Sequence, residues 1–302
     1  MNDAILIVGE ACSHQNPQIH SGTNRVGREK HIRKAKNGRT SMMHNYRIHV
    51  AYDGTKYRGW QVQKDSDLTI QGKLQKVLES LAKTPVEVIG SGRTDAGVHA
   101  VDQVANFHMD DVTGETGDPV DAEYIKDYLN RYLPEDIAVM GIEEVDERFH
   151  SRYHAILKTY RYRIHTSNVP NVFERKYVYT YLDAPLEVEV MKRAAEYLIG
   201  THDFASFCGN RKMKKSTVRT ISKIEIKQKE SEIIIDYTGD GFLQNMVRIL
   251  TGTLIEVGTG RIAPKEIPQI LAAKNRQTAG YTAPPQGLAL MRVTYGEMGS
   301  NQ

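Results

Sequence analysis

The chain has 302 residues, 40% of them hydrophobic and 25% charged, which is enough to bury a core and to divide into two domains. No apolar run approaches the roughly 20 residues that cross a bilayer. The apolar stretch Ala4 to Val8 is too short for a signal-peptide core and lacks its basic flank, so a cytoplasmic protein is expected. Net charge is +3, but residues 1–44 hold seven Lys/Arg against three Asp/Glu, leaving 45–302 near −1, so any nucleic-acid binding there must come from local patches.

Residues 1–44 are basic and polar between Arg25 and Arg39 and lack an apolar period, which predicts a disordered extension. Two readings stand for it: an RNA-binding arm, or sequence upstream of a start at Met42 or Met43. Order is expected from Tyr46, where Tyr46, Ile48, Val50 and Tyr52 alternate with polar or small residues as a strand with one buried face. Asp53-Gly54 opens a turn. Ile70, Leu74, Val77, Leu78 and Leu81 recur at helical spacing, with Thr69 as N-cap. Strands follow at Val86–Ile89 and Val101–Phe107, then a helix over Ala122–Tyr132 that stops before Pro134, then a strand at Ile137–Val145.

The second half has the same grammar. A strand is expected at Lys158–Ile164 and a helix around Met191, Ala194, Ala195 and Leu198. Strands follow at Thr220–Lys227 and Glu232–Tyr237, then a long helix over Phe242–Val257, a shorter one over Lys265–Ala273 and a last strand at Leu290–Tyr295. The mixture lacks strict βαβ alternation. It predicts an α+β protein of two similar halves, 45–150 and 151–302, with mainly antiparallel sheets flanked by helices; for an enzyme so built, an active-site cleft between them is expected.

The segment Gly90-Ser-Gly-Arg-Thr-Asp-Ala-Gly-Val-His99 lies between two strands and carries three glycines in eight residues. Such a loop can hold a carboxylate, a guanidinium and a hydroxyl in fixed relation. It can equally be a tight connection in which Arg93 and Asp95 merely pair. The phosphate-loop pattern is absent. Of the two cysteines, Cys12 and Cys208, neither has the neighbours of a zinc site, and a buried Cys208 is favoured over a catalytic thiolate.

Ser91-Gly-Arg-Thr-Asp-Ala-Gly-Val-His-Ala100 resembles the active-site motif of the tRNA pseudouridine synthase A family. Five further segments match that family in order: Tyr52–Gln61, Lys158–Arg163, Gly200–Phe204, Gly239–Arg248 and Thr282–Leu288. Together they span about residues 45–296. The resemblance implies isomerisation of uridine to pseudouridine at positions 38–40 of the tRNA anticodon stem-loop. It also implies Asp95 as the catalytic carboxylate, a homodimer carrying tRNA across both subunits, and Tyr160 packed against the target base. The chemistry breaks the ribose–N1 bond and rejoins the base through C5. Nothing is oxidised, so no cofactor, metal or small-molecule partner is expected.

A paired uridine must leave the stack, and Arg93 is the candidate to fill its place and to pair with Asp95 in the empty site. Thr94, His99 and Arg161 complete the residues expected to bind substrate. His99 and His202 each also read as structural, with no third partner for a triad, and Trp60 reads as core. Two basic clusters fit an RNA surface: Arg148, Arg152, Lys158, Arg161 and Arg163, and Arg211, Lys212, Lys214, Lys215 and Arg219. The alternatives kept open are a paralogous synthase acting on another RNA or position, and a tRNA-binding protein without catalysis.

Overall fold

A computed structural model describes residues 32–34, 40–114, 118–210 and 212–296. Cys12, Arg211 and most of the expected basic extension lie outside these residues. In chain order the described residues form β1 (Ile32–Lys34), β2 (Thr40–Tyr52), α1 (Ile70–Ala82), β3 (Val88–Gly90), β4 (His99–Asp110), α2 (Ala122–Tyr132) and β5 (Ile137–Val145). Then come β6 (Ala155–His165), β7 (Tyr179–Thr180), α3 (Val188–Glu196), β8 (Gly200–Asp203), β9 (Val218–Lys229), β10 (Glu232–Gly239), α4 (Met246–Gly258), α5 (Ile267–Ala273) and β11 (Leu288–Tyr295). None of the described helices is long and apolar enough to cross a membrane.

All described strands join one sheet, whose path runs β1-β2-β4-β11-β6-β10-β9-β8, with β3, β5 and β7 paired at its sides. Pairing is antiparallel except at β4 with β11 and β6 with β7. The fold is thus α+β and mostly antiparallel, as expected. The sheet passes without a break from strands before residue 150 to strands after it. The last described strand, β11, pairs with β4 on one side and with β6 on the other.

The periodicities explain most of these elements. Tyr46, Ile48, Val50 and Tyr52 are buried on one face of β2, as a period of two requires. The α1 stripe of Ile70, Leu74, Leu78 and Leu81 is buried, and Thr69 Oγ1 accepts the Gly72 N–H at 3.3 Å. Asp121 caps α2 through the Tyr124 N–H at 2.8 Å. On the opposite face of the sheet, cross-strand ion pairs cover the surface, Arg47 with Glu143, Arg161 with Asp236 and Arg163 with Glu232, together with a hydrogen bond between His49 and Asp102.

Three expectations change. The strand expected from Tyr46 begins at Thr40 and pairs with β1, within the expected extension. The helix expected from Phe242 begins at Met246, because Asn245 takes a left-handed conformation, φ 58°. A single helix over Lys265–Ala273 becomes a 3-10 turn at Pro264–Glu266 followed by α5.

α4 is buried on nearly all sides, and the chain at 279–283 lies directly on it. A Cβ at Gly252 would stand 1.9 Å from the Tyr281 carbonyl oxygen, so only glycine permits this approach. This contact fixes the loop after α5 beside the first turn of α4, where the site lies.

Candidate active site

The loop 91–98 connects β3 to β4 and is held from several sides. Ser91 Oγ donates to Gln103 Oε1 at 2.6 Å, and Gln103 Nε2 donates to the Gly92 carbonyl at 3.1 Å. The Trp60 N–H donates to the Thr94 carbonyl at 3.1 Å, and the Gly97 N–H to the Tyr57 carbonyl at 3.1 Å. Thr94 is buried, with its hydroxyl 2.8 Å from that of Tyr52. Gly59, at φ 97°, lets the preceding turn lie against Thr94 and Asp95. Trp60 is core, as its aromatic bulk suggests, and packs beneath Gly90.

This network presents Asp95 at the loop's crest. Its carboxylate faces the Arg248 guanidinium, Oδ2 to Nη1 3.9 Å, with side chains 27% and 15% exposed. The pair is therefore sheltered from water but reachable. Burial raises the Asp95 carboxyl above its ordinary value, against the opposing pull of Arg248 and of a hydrogen bond from the Asn245 backbone. Burial likewise lowers Arg248, with Asp95 acting in the other direction.

Arg248 is itself fixed. Its Nε donates to the Ala283 carbonyl at 2.7 Å and its Nη1 to Asn245 Oδ1 at 3.0 Å. The Ala283 N–H returns a bond to the Arg248 carbonyl at 3.1 Å. Tyr160, buried on β6, stands edge-to-face with Phe242 at 5.2 Å, and both Tyr52 and Asp95 help to raise its hydroxyl pKa beyond the effect of burial. Three remote segments, 91–98, 242–248 and 282–288, thus converge with β6 on one carboxylate.

Arg93, Thr94, Asp95 and Tyr160 come together as expected, but the pairing differs. Arg93 is exposed, and its Nε donates to Gln61 Oε1 at 3.0 Å, while Arg248 is the cation facing Asp95. His99 lies at the far end of the loop, buried edge-to-face against Tyr177 at 5.1 Å. Its Nδ1 accepts the Gly54 N–H at 3.0 Å, and burial lowers its pKa against the opposing pull of the Asp53 carboxylate, 3.2 Å from the same nitrogen. Arg161 points to the other face of the sheet, because β6 alternates, and makes two bonds to Asp236 at 2.7 and 2.8 Å. His202 bonds the Ile199 carbonyl at 3.0 Å, while Asp203 pairs with Lys274 at 2.8 Å. Cys208 is buried, with Sγ 3.5 Å from the Asn210 carbonyl.

Sequence reasoning missed Arg248 and Asn245 as site residues. Arg248 closes the quoted segment Gly239–Arg248, a charged residue in the first turn of a largely apolar helix, which is the signal that could have found it.

Comparison with known proteins resolves what this loop belongs to. A family model described as tRNA pseudouridine synthase matches residues 48–154 and 194–296. The chain belongs to the tRNA pseudouridine synthase family. The synthase is 43% identical over 253 residues to tRNA pseudouridine synthase A 2 of Bacillus thuringiensis subsp. konkukian, covering 84% of this chain and 100% of that protein. It is 46% identical over 255 residues to the protein of that name in Clostridium tetani, with the same coverage. A tRNA pseudouridine synthase A of Acetivibrio thermocellus is 42% identical over 253 residues, again 84% and 100%. Both matched blocks contain site residues: the first holds Arg93 to Asp95 and the second Arg248 and Ala283.

Proposed function

We propose that the synthase converts uridine to pseudouridine at positions 38–40 of the tRNA anticodon stem-loop, with Asp95 as its catalytic carboxylate. The observation that carries this is the sheltered Asp95–Arg248 pair on a loop fixed by bonds along its backbone. The reaction breaks N1–C1′ and forms C5–C1′. The proton lost from C5 is balanced by one gained at N1, so the product is an isomer. A carboxylate ionised at neutral pH is suited to stabilise or capture charge that develops at C1′. Burial raises the Asp95 pKa and Arg248 opposes that rise, favouring the ionised form, and Tyr160 supplies a ring against which the displaced base can rest.

The uridine must be extruded at a cost of a few kcal/mol. Arg93, exposed and bonded through Nε to Gln61, is placed to fill the gap it leaves. Two halves, 45–150 and 151–302, each supply part of the site: the first the loop, the second Arg248 and Tyr160. We further propose a cytoplasmic homodimer, in keeping with tRNA as the substrate.

The test is incubation with unmodified tRNA transcript, followed by carbodiimide labelling and primer extension, with Asp95→Ala alongside. Pseudouridine at 38–40 in the parent protein, absent in Asp95→Ala, is the expected result. Pseudouridine elsewhere would replace the assigned position with another. Product from Asp95→Ala would remove Asp95 from the mechanism.

A further inference from the structure

Lys158 on β6 extends toward the catalytic loop, and its Nζ donates to the Ser91 carbonyl at 2.7 Å. A Cβ on Gly92 would stand only 3.1 Å from that nitrogen, so the missing side chain at 92 leaves the ammonium room against the loop. Among the described residues Lys158 has no carboxylate within salt-bridge distance. Its charged neighbours are Arg152, Arg219 and Asp240, and two of these three carry the same sign.

Arg152 follows Ser151, whose hydroxyl bonds the Ile89 carbonyl at 2.5 Å on the strand leading into the loop. Arg219 lies two residues before Ile221, which pairs with Gly239, and Gly239 pairs with Lys158. The Arg219 Nη1 donates to the carbonyls of Ser216 and Val218, so that guanidinium also lacks an acid partner among the described residues. Asp240 accepts the Thr220 N–H at 3.0 Å. Lys158 and Arg219 are half-buried cations without matching acids, which is costly unless an anion completes them, and Arg152 adds an exposed charge near Lys158.

We propose that Lys158, Arg152 and Arg219 form a subsite for one phosphodiester of the RNA strand that carries the target uridine. This rests on the reading of the chain as a tRNA pseudouridine synthase. The subsite lies at the Ser91-Gly92 end of the loop. A phosphate held there would fix the backbone beside the nucleotide presented to Asp95, and through Lys158 would tie RNA binding to the loop itself.

Burial and the two arginines push Lys158 down to about 8. A bound phosphate favours the protonated amine, so RNA binding raises this pKa. Affinity is therefore full below pH 8 and falls as pH rises above it.

The experiment measures the Kd of unmodified tRNA transcript by fluorescence anisotropy, over a series of KCl concentrations and pH values. The proteins are the parent, Lys158→Arg, and the double variant Arg152→Gln/Arg219→Gln, with thermal melts to establish folding. The double variant is expected to bind about tenfold more weakly, with a slope of log Kd against log salt shallower by about 0.9, the value for one phosphate. Lys158→Arg is expected to lose the alkaline fall in affinity. Methylphosphonate replacement at each phosphate around the uridine should locate one position that weakens the parent and not the double variant. An unchanged affinity and slope in a folded double variant, or the same alkaline fall in Lys158→Arg, would overturn the subsite. Turnover by the parent protein is scored separately. Binding that follows this pattern without pseudouridine formation would sink the enzymatic reading and leave the subsite standing.

Discussion

Arg248 and Asp95 face each other at 3.9 Å, and the arginine is held there by the Ala283 carbonyl, 35 residues further along the chain. The distance is too long for a tight ion pair, so the carboxylate is polarised without being neutralised by a close bidentate partner. With its side chain 27% exposed, it remains accessible to a substrate.

Replacement of Arg248 tests whether this geometry matters beyond charge. Arg248→Lys keeps a cation but loses the fork that reaches Ala283 and Asn245 together. We expect kcat to fall on the order of 100-fold, as for a misplaced catalytic group, with tRNA affinity little altered. Single-turnover kinetics would measure the first and anisotropy the second. Parent-like turnover in Arg248→Lys would show that position alone is not what the arginine supplies.

The raised pKa of Asp95 sets the direction of two pH effects. If the ionised form works, the rate falls as pH drops through a value above the ordinary carboxylate near 3.9. Arg248→Met removes the opposing pull and should move this acid limb to higher pH. A limb that stays in place would dissociate the two residues.

Stability follows from the same shift with the opposite sign. A folded-state acid pKa above its unfolded value means that ionised Asp95 costs stability above both values, and the cost disappears below them. Asp95→Asn should therefore melt no lower than the parent at neutral pH, and any gain should vanish in acid. A clear fall in Tm at neutral pH would contradict this.

Gly252→Ala probes the support behind Arg248. The new methyl group would meet the Tyr281 carbonyl and must push residues 279–283 away from α4. We expect a loss of about 3 kcal/mol from overpacking, seen in urea unfolding, with a drop in kcat because Ala283 no longer holds Arg248. Retained stability with lost activity would still fit a displaced loop; retained activity would not.

Arg161→Ala separates the two faces of the sheet. Its ion pair with Asp236 lies away from Asp95, so we expect a loss of about 1 kcal/mol at most and a kcat within about twofold of the parent. A large fall in tRNA affinity would place RNA on that face.

The fold was legible wherever burial repeats with a simple period. Tyr46 to Tyr52 and Ile70 to Leu81 announce β2 and α1 because each faces one core. β7 and β8 were not, since two and four residues carry no period and exist only through pairing with β6 and β9. Within the site, Asp95 and Tyr160 could be read from local motifs. Arg248 could not be matched to Asp95, for 152 intervening positions say nothing about which cation meets which carboxylate. The choice of Gln61 as the Arg93 partner was hidden for the same reason. Arg161 was misplaced because a basic cluster in sequence splits between two faces once its segment becomes a strand.

The position of β11 also governs when this molecule can become active. The last described strand lies between β4 and β6, and Ala283, just before it, holds Arg248. A chain emerging from the ribosome can form its hairpins early, but β4 and β6 lack the strand that joins them until Leu288–Tyr295 has been made. A product that stops before residue 283 would keep Asp95 and the whole loop yet leave Arg248 unanchored. Synthesis beyond residue 283 is thus the point from which Arg248 can be anchored opposite Asp95.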